Sequence, residues 1–163
     1  MPPIVSIIGE SKSGKTTLIE KLISELKSRG YRVASIKHSV HKLDFDKAGK
    51  DSWRHLQAGS SATAIVSPDQ VVIIKPASKE PDLKQIARLL GNECDIILTE
   101  GFKESTAPKI EVHRKAAGPI RRGIKNIVAI ATDEPLETST RQFALNDVKG
   151  IADFLESGFI IVR

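Results

Sequence analysis

Cysteine, tryptophan and tyrosine are almost absent from this sequence, which holds one residue of each. A single cysteine excludes an internal disulfide framework, so we expect a protein of the reducing cytoplasm. Cys94 lies in an apolar stretch, where we predict a buried small hydrophobe. No apolar run approaches the length of a membrane span, and the N-terminus lacks a basic region before its short apolar run. We therefore expect no membrane partner and no targeting segment.

Aromatic residues are also scarce, at 4% of the chain, although the net charge is +5. Nucleic-acid-binding proteins often interleave basic and aromatic residues, and no stretch here does so. We therefore expect no nucleic-acid partner. A basic surface suits anionic small molecules or an acidic protein instead. The length favours a single domain over residues 1–163 with one sizeable core.

Short apolar runs alternate with amphipathic stretches along most of the chain. This alternation predicts an α/β fold with three layers and a mainly parallel sheet. The predicted strands are 3–8, 31–37, 95–99, 109–114, 126–131 and 159–162. The predicted helices are 16–29, 51–59, 81–90 and one that Asn146 caps and Gly158 ends. Two short strands around a Ser-Pro-Asp-Gln turn predict a β-hairpin insert at 61–74.

A phosphate-binding motif lies between the first strand and the first helix. It matches G-x-x-x-x-G-K-[ST], a pattern expected by chance about once in two hundred chains of this length. Its residues are Gly9, Glu10, Ser11, Lys12, Ser13, Gly14, Lys15 and Thr16. Glycines let successive N–H groups point at phosphate oxygens, and the helix start adds its positive dipole end. The motif therefore predicts a P-loop NTPase-like domain.

Two side chains of the motif have predicted roles. Lys15 reaches the β- and γ-phosphates as a point charge, and the Thr16 hydroxyl binds the Mg²⁺ that bridges them. Thr17 either touches the α-phosphate or only starts the helix. A glycine-rich turn that merely caps a helix is the structural alternative.

A phosphate loop needs a carboxylate that orients metal or water, at the carboxyl end of a neighbouring strand. The stretch 95–101 offers Asp95 at the start of a strand and Glu100 at its end. We favour Glu100, because Asp95 falls at the wrong edge of the sheet. Gly101 then allows a close backbone approach. A solvated glutamate at the strand end is the alternative.

A charged stretch follows the second strand, over residues 37–54. It includes His38 and His41 among lysines and aspartates, and one interpretation of this pattern is a transition-metal site. We disfavour it, because the spacing matches no standard zinc pattern. A solvated polar loop is another alternative. We instead predict a surface that responds to the bound nucleotide.

Several segments together resemble one known family. They are the phosphate loop, the segment DFDKAGKDSWR at 44–54, TEGFK at 99–103 and PKIEVHR at 108–114. In this combination the sequence resembles the B proteins of molybdopterin-guanine dinucleotide biosynthesis, the MobB family, over residues 4–133. The resemblance implies a small GTP-binding, Mg²⁺-dependent P-loop protein that is usually a homodimer. It also implies a partner, the guanylyltransferase of the molybdenum cofactor, whose pterin product could meet the 37–54 surface.

The resemblance also carries over residue by residue. It implies that Gly14, Lys15, Thr16 and Thr17 bind the phosphates and that the Glu100–Gly101 pair lies near the metal. Lys15 and Glu100 would act in any hydrolysis. Asp44, Asp46 and Asp51 match the family's acidic segment, and the match leaves their individual roles open. Of the three, we predict that Asp46 approaches Mg²⁺.

One departure concerns the base. The Asn-Lys-x-Asp motif that reads guanine in regulatory GTPases is missing, and Asp133, after a predicted strand, is the best substitute. We therefore expect a GTP-binding accessory protein, with slow GTP hydrolysis as a further expectation. Two alternatives stay open. One is a small P-loop kinase, for which Arg121 and Arg122 could serve a lid. The other is an adaptor that binds nucleotide without hydrolysing it.

Overall fold

The computed structural model describes residues 1–39, 41, 46–120 and 122–160. The main strands of the described chain are β1 (Ile4–Gly9), β2 (Val33–Lys37), β5 (Ile96–Glu100), β6 (Lys109–His113), β7 (Ile127–Thr132) and β8 (Arg141–Ala144). A hairpin contributes β3 (Thr63–Val66) and β4 (Val71–Ile74). The helices are α1 (Lys15–Ser28), α2 (Asp51–Gln57), α3 (Leu83–Leu89) and α4 (Val148–Phe159).

Six of the strands form one sheet in the order β2-β5-β1-β6-β7-β8, and every neighbouring pair is parallel. β1 lies inside the sheet, where Ile4 is paired with Ile97 of β5 and Ile8 with Glu111 of β6. The carboxyl ends of β1, β2, β5, β6 and β7 therefore meet at one edge. The predicted α/β fold with a mainly parallel sheet is confirmed.

Helices cover both faces of the sheet, so the alternating side chains of its inner strands are buried on both sides. On one face, Val5 and Ile7 pack with the apolar stripes of α1 and α4, including Leu22, Leu26 and Leu155. On the other face, α3 covers a smaller core with Ile36, Leu83, Ala87 and Ile97. These helices and the sheet make the three predicted layers. No helix within the described part of the chain is long and apolar enough to cross a bilayer.

Contacts divide the chain into two compact units, residues 1–38 with 82–163, and residues 39–81. The second unit holds α2 and the β3–β4 hairpin. The hairpin is antiparallel, with Val66 opposite Val71, and its turn is closed by the Ser67 N–H, which donates to the Gln70 carbonyl at 2.9 Å. This confirms the hairpin predicted at 61–74. The single domain expected over 1–163 stays a prediction.

Three details near the C-terminus differ from the sequence prediction. β8 was not predicted, because only Phe143 of its four residues is buried. Asp147 caps α4, accepting from the Gly150 N–H at 3.0 Å, where Asn146 was expected. Gly158 does not end α4, and Phe159 belongs to this helix, where the strand 159–162 was predicted. Residues 161–163 lie outside the described chain.

Candidate functional site

The phosphate-binding motif forms a tight loop between β1 and α1. The Ser13 N–H donates to the Glu10 carbonyl at 3.2 Å, and Lys12 and Gly14 both have positive φ, at 62° and 104°. Gly9 lies against the next strand, because a Cβ there would be 2.3 Å from the Val112 carbonyl oxygen. No side chain larger than hydrogen fits that position. The loop is therefore drawn close to β6 at its first glycine.

The start of α1 has features of an anion site. Gly14 is its N-cap, and within the described chain no side chain caps this helix and no acidic residue lies in its first turn. As in any helix, the N–H groups of the first turn have no acceptor within the helix, and here no side chain of the described chain replaces it. Such groups can bind an anion. Phosphate binding by this turn stays a prediction.

Two polar side chains of the loop lie near these N–H groups. The Lys15 ammonium donates to the Glu10 carbonyl at 2.7 Å and so lies across the loop. The Ser13 hydroxyl is fully buried and has no hydrogen-bond partner among the described atoms. An unpaired buried hydroxyl is uncommon, and a phosphate oxygen would satisfy it. Ser11 and Thr17 are exposed on either side of them.

Glu100 and Thr16 meet at the carboxyl edge of the sheet. The Thr16 hydroxyl donates to Glu100 Oε2 at 3.0 Å, although the two residues lie 84 positions apart. The Lys37 ammonium, at the end of β2, lies 3.7 Å from Glu100 Oε1. Asp95 lies directly before β5, at the opposite edge of the sheet, and forms an ion pair with Arg32 at 2.9 Å. The fold thus brings together Thr16 and Glu100, two of the three predicted metal ligands, and places Asp95 at the other edge of the sheet.

The residues present suit Mg²⁺, which prefers hard oxygen ligands. A threonine hydroxyl and a carboxylate converge beside a loop that presents N–H groups. Among the described residues, no cluster of three or more His, Cys, Asp or Glu side chains could hold a metal ion. Phosphate oxygens and water would therefore complete the coordination of any Mg²⁺ ion bound here.

Gly101, directly after Glu100, lies under His38. Its φ is +97°, and a Cβ on it would come within 3.0 Å of the His38 Cβ. The His38 ring lies 4.8 Å from the Phe102 ring, centre to centre. The structure therefore explains this glycine by its backbone angle and by the packing of His38. A direct role of Gly101 in nucleotide binding stays a prediction.

Asp133 lies at the carboxyl end of β7, at the same edge of the sheet as the phosphate loop. Its Oδ1 accepts from the Lys115 N–H at 2.8 Å, which fixes the carboxylate against the segment after β6. Next to it, His113 Nε2 lies 2.9 Å from Glu134 Oε1. This hydrogen bond is the largest cause that lowers the pKa of Glu134 below its ordinary value. The role of Asp133 in reading the base stays a prediction.

Arg114 was not predicted, yet it lies against the phosphate loop. It follows β6, and its Nε donates to the Ser13 carbonyl at 3.4 Å. Its Nη2 would lie 3.5 Å from a Cβ on Gly14. The sequence contains only an indirect signal for Arg114, which stands at the end of the predicted strand 109–114. Its position beside the phosphate loop depends on the pairing of β6 with β1, and strand order cannot be determined from one sequence.

The predicted acidic segment belongs to the second unit. Asp46 Oδ1 accepts from the Ser52 hydroxyl at 2.8 Å, and its Oδ2 is buried without a hydrogen-bond partner among the described atoms. Asp51 is exposed in the first turn of α2. Asp44 and Arg121 lie outside the described residues. Metal binding by Asp46 therefore stays a prediction.

Three comparisons place this chain among known proteins. The profile of the family named Molybdopterin guanine dinucleotide synthesis protein B matches residues 4–133. The molybdopterin-guanine dinucleotide biosynthesis adapter protein of Haemophilus influenzae is 41% identical over 157 residues, covering 95% of this chain and 88% of that protein.

Its counterpart of the same name in Escherichia coli is 37% identical over 161 residues, covering 95% of this chain and 92% of that protein. A crystal structure of a molybdopterin-guanine biosynthesis protein B superposes with a TM-score of 0.71 at 30% identity. That superposition covers 94% of this chain and 98% of the other.

Proposed function

This chain belongs to the molybdopterin guanine dinucleotide synthesis protein B family, and we propose that it is a GTP-binding accessory protein in the synthesis of that dinucleotide. The predicted resemblance is confirmed. Its partner in this proposal is the guanylyltransferase that joins GMP to molybdopterin, and the protein is located in the cytoplasm. The observation that carries the nucleotide site is the hydrogen bond between Thr16 and Glu100, beside the uncapped start of α1.

Each residue of the site has a defined task in this proposal. The N–H groups of the loop and the buried Ser13 hydroxyl bind phosphate oxygens, and Lys15 adds a positive charge. Thr16 and Glu100 hold Mg²⁺, which when bound neutralises charge on the phosphates. The second Glu100 oxygen, near Lys37, can orient a water toward the terminal phosphate and so support slow hydrolysis.

The test compares Glu100→Gln with Asp95→Asn, which neutralises the carboxylate just before the other end of the same strand. Calorimetric titration with a non-hydrolysable GTP analogue is run with Mg²⁺ and with EDTA. We expect Mg²⁺ to raise affinity at least about tenfold in the parent and in Asp95→Asn, and not in Glu100→Gln. Equal Mg²⁺ dependence in all three proteins contradicts the metal assignment.

Product analysis separates this proposal from its two alternatives. Inorganic phosphate as the product means a GTPase. A phosphorylated acceptor means a small-molecule kinase. Tight binding with neither product means an adaptor whose nucleotide has only a structural role.

Base recognition is proposed for Asp133, because it lies at the carboxyl edge of the sheet beyond β6. Its Oδ2 can accept from the N1–H and amino group of guanine, which adenine does not offer. We expect GTP to raise the melting temperature more than ATP does. In Asp133→Asn the preference moves to xanthosine triphosphate, since an amide N–H₂ can donate to its 2-carbonyl. Equal stabilisation by all three nucleotides in the parent contradicts this assignment.

Transferase binding is proposed for the 37–54 surface. It follows β2 and so leaves the sheet at the phosphate-loop edge, where Lys37 already contacts Glu100. Amide hydrogen exchange with and without Mg²⁺ and the GTP analogue should show added protection across 37–54. Titration of the transferase should be weakened by Asp46→Ala and Arg54→Ala. Unchanged protection together with unchanged transferase affinity identifies a solvated loop.

Self-association is proposed for the β3–β4 hairpin. It exposes Ile65, Val66, Val71, Val72 and Ile73 on two short strands. Exposed apolar strand edges tend to pair with another chain, and a twofold dimer is the commonest result.

A further inference from the structure

A polar depression lies in the first unit, between segments 103–106 and 122–126. Its volume is about 590 Å³. None of the phosphate-loop residues lines it. Lys125 and Asn126 lie directly before β7, so this side of the pocket is near the amino end of a strand whose carboxyl end lies at the nucleotide edge. We call this depression the basic pocket.

Its lining carries more positive than negative charge. Lys103, Arg122 and Lys125 are exposed cations on its walls, and Glu104 is the one carboxylate among its described lining residues. Clefts lined mainly by one sign of charge concentrate ions of the opposite sign. Arg122 adds a planar fork of N–H donors, which matches the geometry of a phosphate group.

The walls of the pocket are tied together by a fully buried lysine. The Lys109 ammonium donates to the carbonyls of Ser105 at 2.5 Å, Ala107 at 3.0 Å and Lys125 at 3.2 Å. Ser105 and Lys125 belong to opposite walls. The Asn126 amide also joins them, donating to the Thr106 carbonyl at 2.9 Å. Lys109 and Asn126 therefore hold the two walls of the pocket together.

Ser105 is one of the residues that line the same pocket. Its Oγ is buried and has no hydrogen-bond partner among the described atoms. A buried hydroxyl without a partner costs free energy that a bound acceptor recovers.

We infer that the basic pocket is a second anion site, which takes a small phosphate-bearing molecule independently of the phosphate loop. Its volume lies within the range of about 300–1,000 Å³ typical of small-molecule sites. A lone phosphate would leave most of it empty, so the ligand is a phosphate monoester of a larger polar molecule. The phosphate contacts Arg122 and Lys125, and the Ser105 hydroxyl donates to the ligand. The inference goes beyond the proposed GTP site and does not depend on it.

The test is a residue-resolved titration by amide chemical shifts. Glycerol 3-phosphate and inorganic phosphate are added at constant ionic strength to the parent and to Lys15→Ala, and sodium acetate serves as the non-phosphate anion. We expect both phosphates to shift the amides of 104–106 and 123–126 in both proteins, with the monoester binding more tightly. Shifts confined to 9–17, or equal shifts with acetate, overturn the inference.

Variants then test the cations. The double variant Arg122→Gln/Lys125→Gln should lower monoester affinity at the basic pocket at least about tenfold. The control Lys79→Gln/Lys84→Gln removes the same charge elsewhere and should stay within about twofold. Ser105→Ala keeps every charge and should weaken binding by a smaller factor. Unchanged affinity in the Arg122/Lys125 variant overturns the inference. Loss of the GTP site alone, in Lys15→Ala, leaves the basic-pocket shifts intact.

Discussion

At the scale of single residues, the proposed nucleotide site brings together a threonine and a glutamate that are far apart in sequence. Their hydrogen bond at 3.0 Å depends on β5 pairing with β1, which brings the end of one strand beside the start of α1. Lys15 lies next to Thr16, across the loop. The function of each side chain can therefore be tested without disturbing the core.

Lys15→Ala should remove measurable binding of Mg²⁺-GTP while the melting temperature stays within about two degrees. Within the described chain its ammonium contacts one backbone carbonyl, so its loss costs little stability. Calorimetry and thermal unfolding measure the two effects. Lys12→Ala, in the same loop, is the matched control and should keep its affinity. Affinity of Lys15→Ala within twofold of the parent contradicts the assignment of the site.

Gly9→Ala should destabilise the protein by roughly 2 kcal/mol or more, because its Cβ would overlap the Val112 carbonyl. Gly30→Ala is the control. It also has positive φ, at 90°, but no atom lies within 4 Å of its added Cβ, so only backbone strain remains. Urea unfolding gives both values. A Gly9→Ala cost no greater than that of Gly30→Ala would show that the loop can move away from β6.

Arg114→Ala should lower GTP affinity about tenfold, since its guanidinium lies beside Ser13 and Gly14. Arg114→Lys should recover only part of the loss, because an ammonium cannot reproduce the planar fork. Calorimetric titration measures both, with Arg88→Ala on α3 as the control. Equal affinities for parent and Arg114→Ala would assign Arg114 to loop packing alone.

The sequence predicted the part of the site that follows a local rule. Gly9, Gly14, Lys15 and Thr16 belong to a motif with fixed spacing, and Glu100 ends a recognisable strand. Arg114 could not be found this way, because its position depends on which strands are neighbours. Lys109 was equally hidden: a lysine in a strand normally faces solvent, and this one is fully buried by contacts from two loops.

At the scale of elements, α1 and α4 are joined by a cluster of charges. Arg29 contacts Asp153 at 2.6 Å, Glu156 at 2.8 Å and Glu25 at 2.9 Å. Tyr31 donates to Glu156 Oε1 at 2.5 Å. The hydrogen bond from Tyr31, and after it those from Arg29, lower the pKa of Glu156 below its ordinary value of 4.5. The cluster fixes the two helices that cover one face of the sheet.

Glu156→Gln should therefore narrow the stability difference between neutral and acidic pH. A carboxylate with a lowered pKa in the folded state stabilises fully above its unfolded pKa, near 4.5, and this contribution disappears as the pH falls through the lowered value. The parent should melt higher than the variant at pH 7, and the two should converge below pH 4.5. Lys149→Gln on the same helix is the control. A constant difference at every pH would show that packing, and not charge, separates the two proteins.

Most elements were predicted correctly from their pattern of apolar residues, whereas β8 and the end of α4 were not. β8 has a single buried residue, Phe143, so its sequence lacks the alternation of a strand. α4 continues past Gly158 because Phe159 packs against the core and meets the Phe154 ring at 5.8 Å. Tertiary packing here outweighs the helix-ending tendency of glycine.

At the scale of the whole molecule, we expect the proposed dimer to form through the β3–β4 hairpin. Val66→Glu/Val72→Glu should convert dimers to monomers in sedimentation velocity, because charges on the strands oppose pairing. Val66 is 72% exposed, so the change costs little folding stability. Leu89→Glu/Leu90→Glu places two charges on another exposed apolar pair and should leave the dimer intact. Dissociation in this control alone would move the interface to α3.

The layered architecture was predictable because strands and helices alternate, whereas the strand order was not. A parallel sheet with β1 inside it requires pairings between distant parts of the chain, and periodicity carries no information about them. The separation of residues 39–81 as a compact unit could not be predicted from the sequence either, since no linker marks its boundaries.

The position of β1 in the sheet also has a consequence for the protein's synthesis. β1 leaves the ribosome before both of its neighbours in the sheet, which begin at Ile96 and Lys109. At a translation rate of about 5–20 residues per second, the nascent β1 waits roughly 5–20 s for a partner. During that interval Val5, Ile7 and Ile8 are covered only by what α1 can shield. A nascent chain that stalls before residue 96 should therefore be captured by chaperones that bind exposed apolar strands, and one released after residue 160 should not.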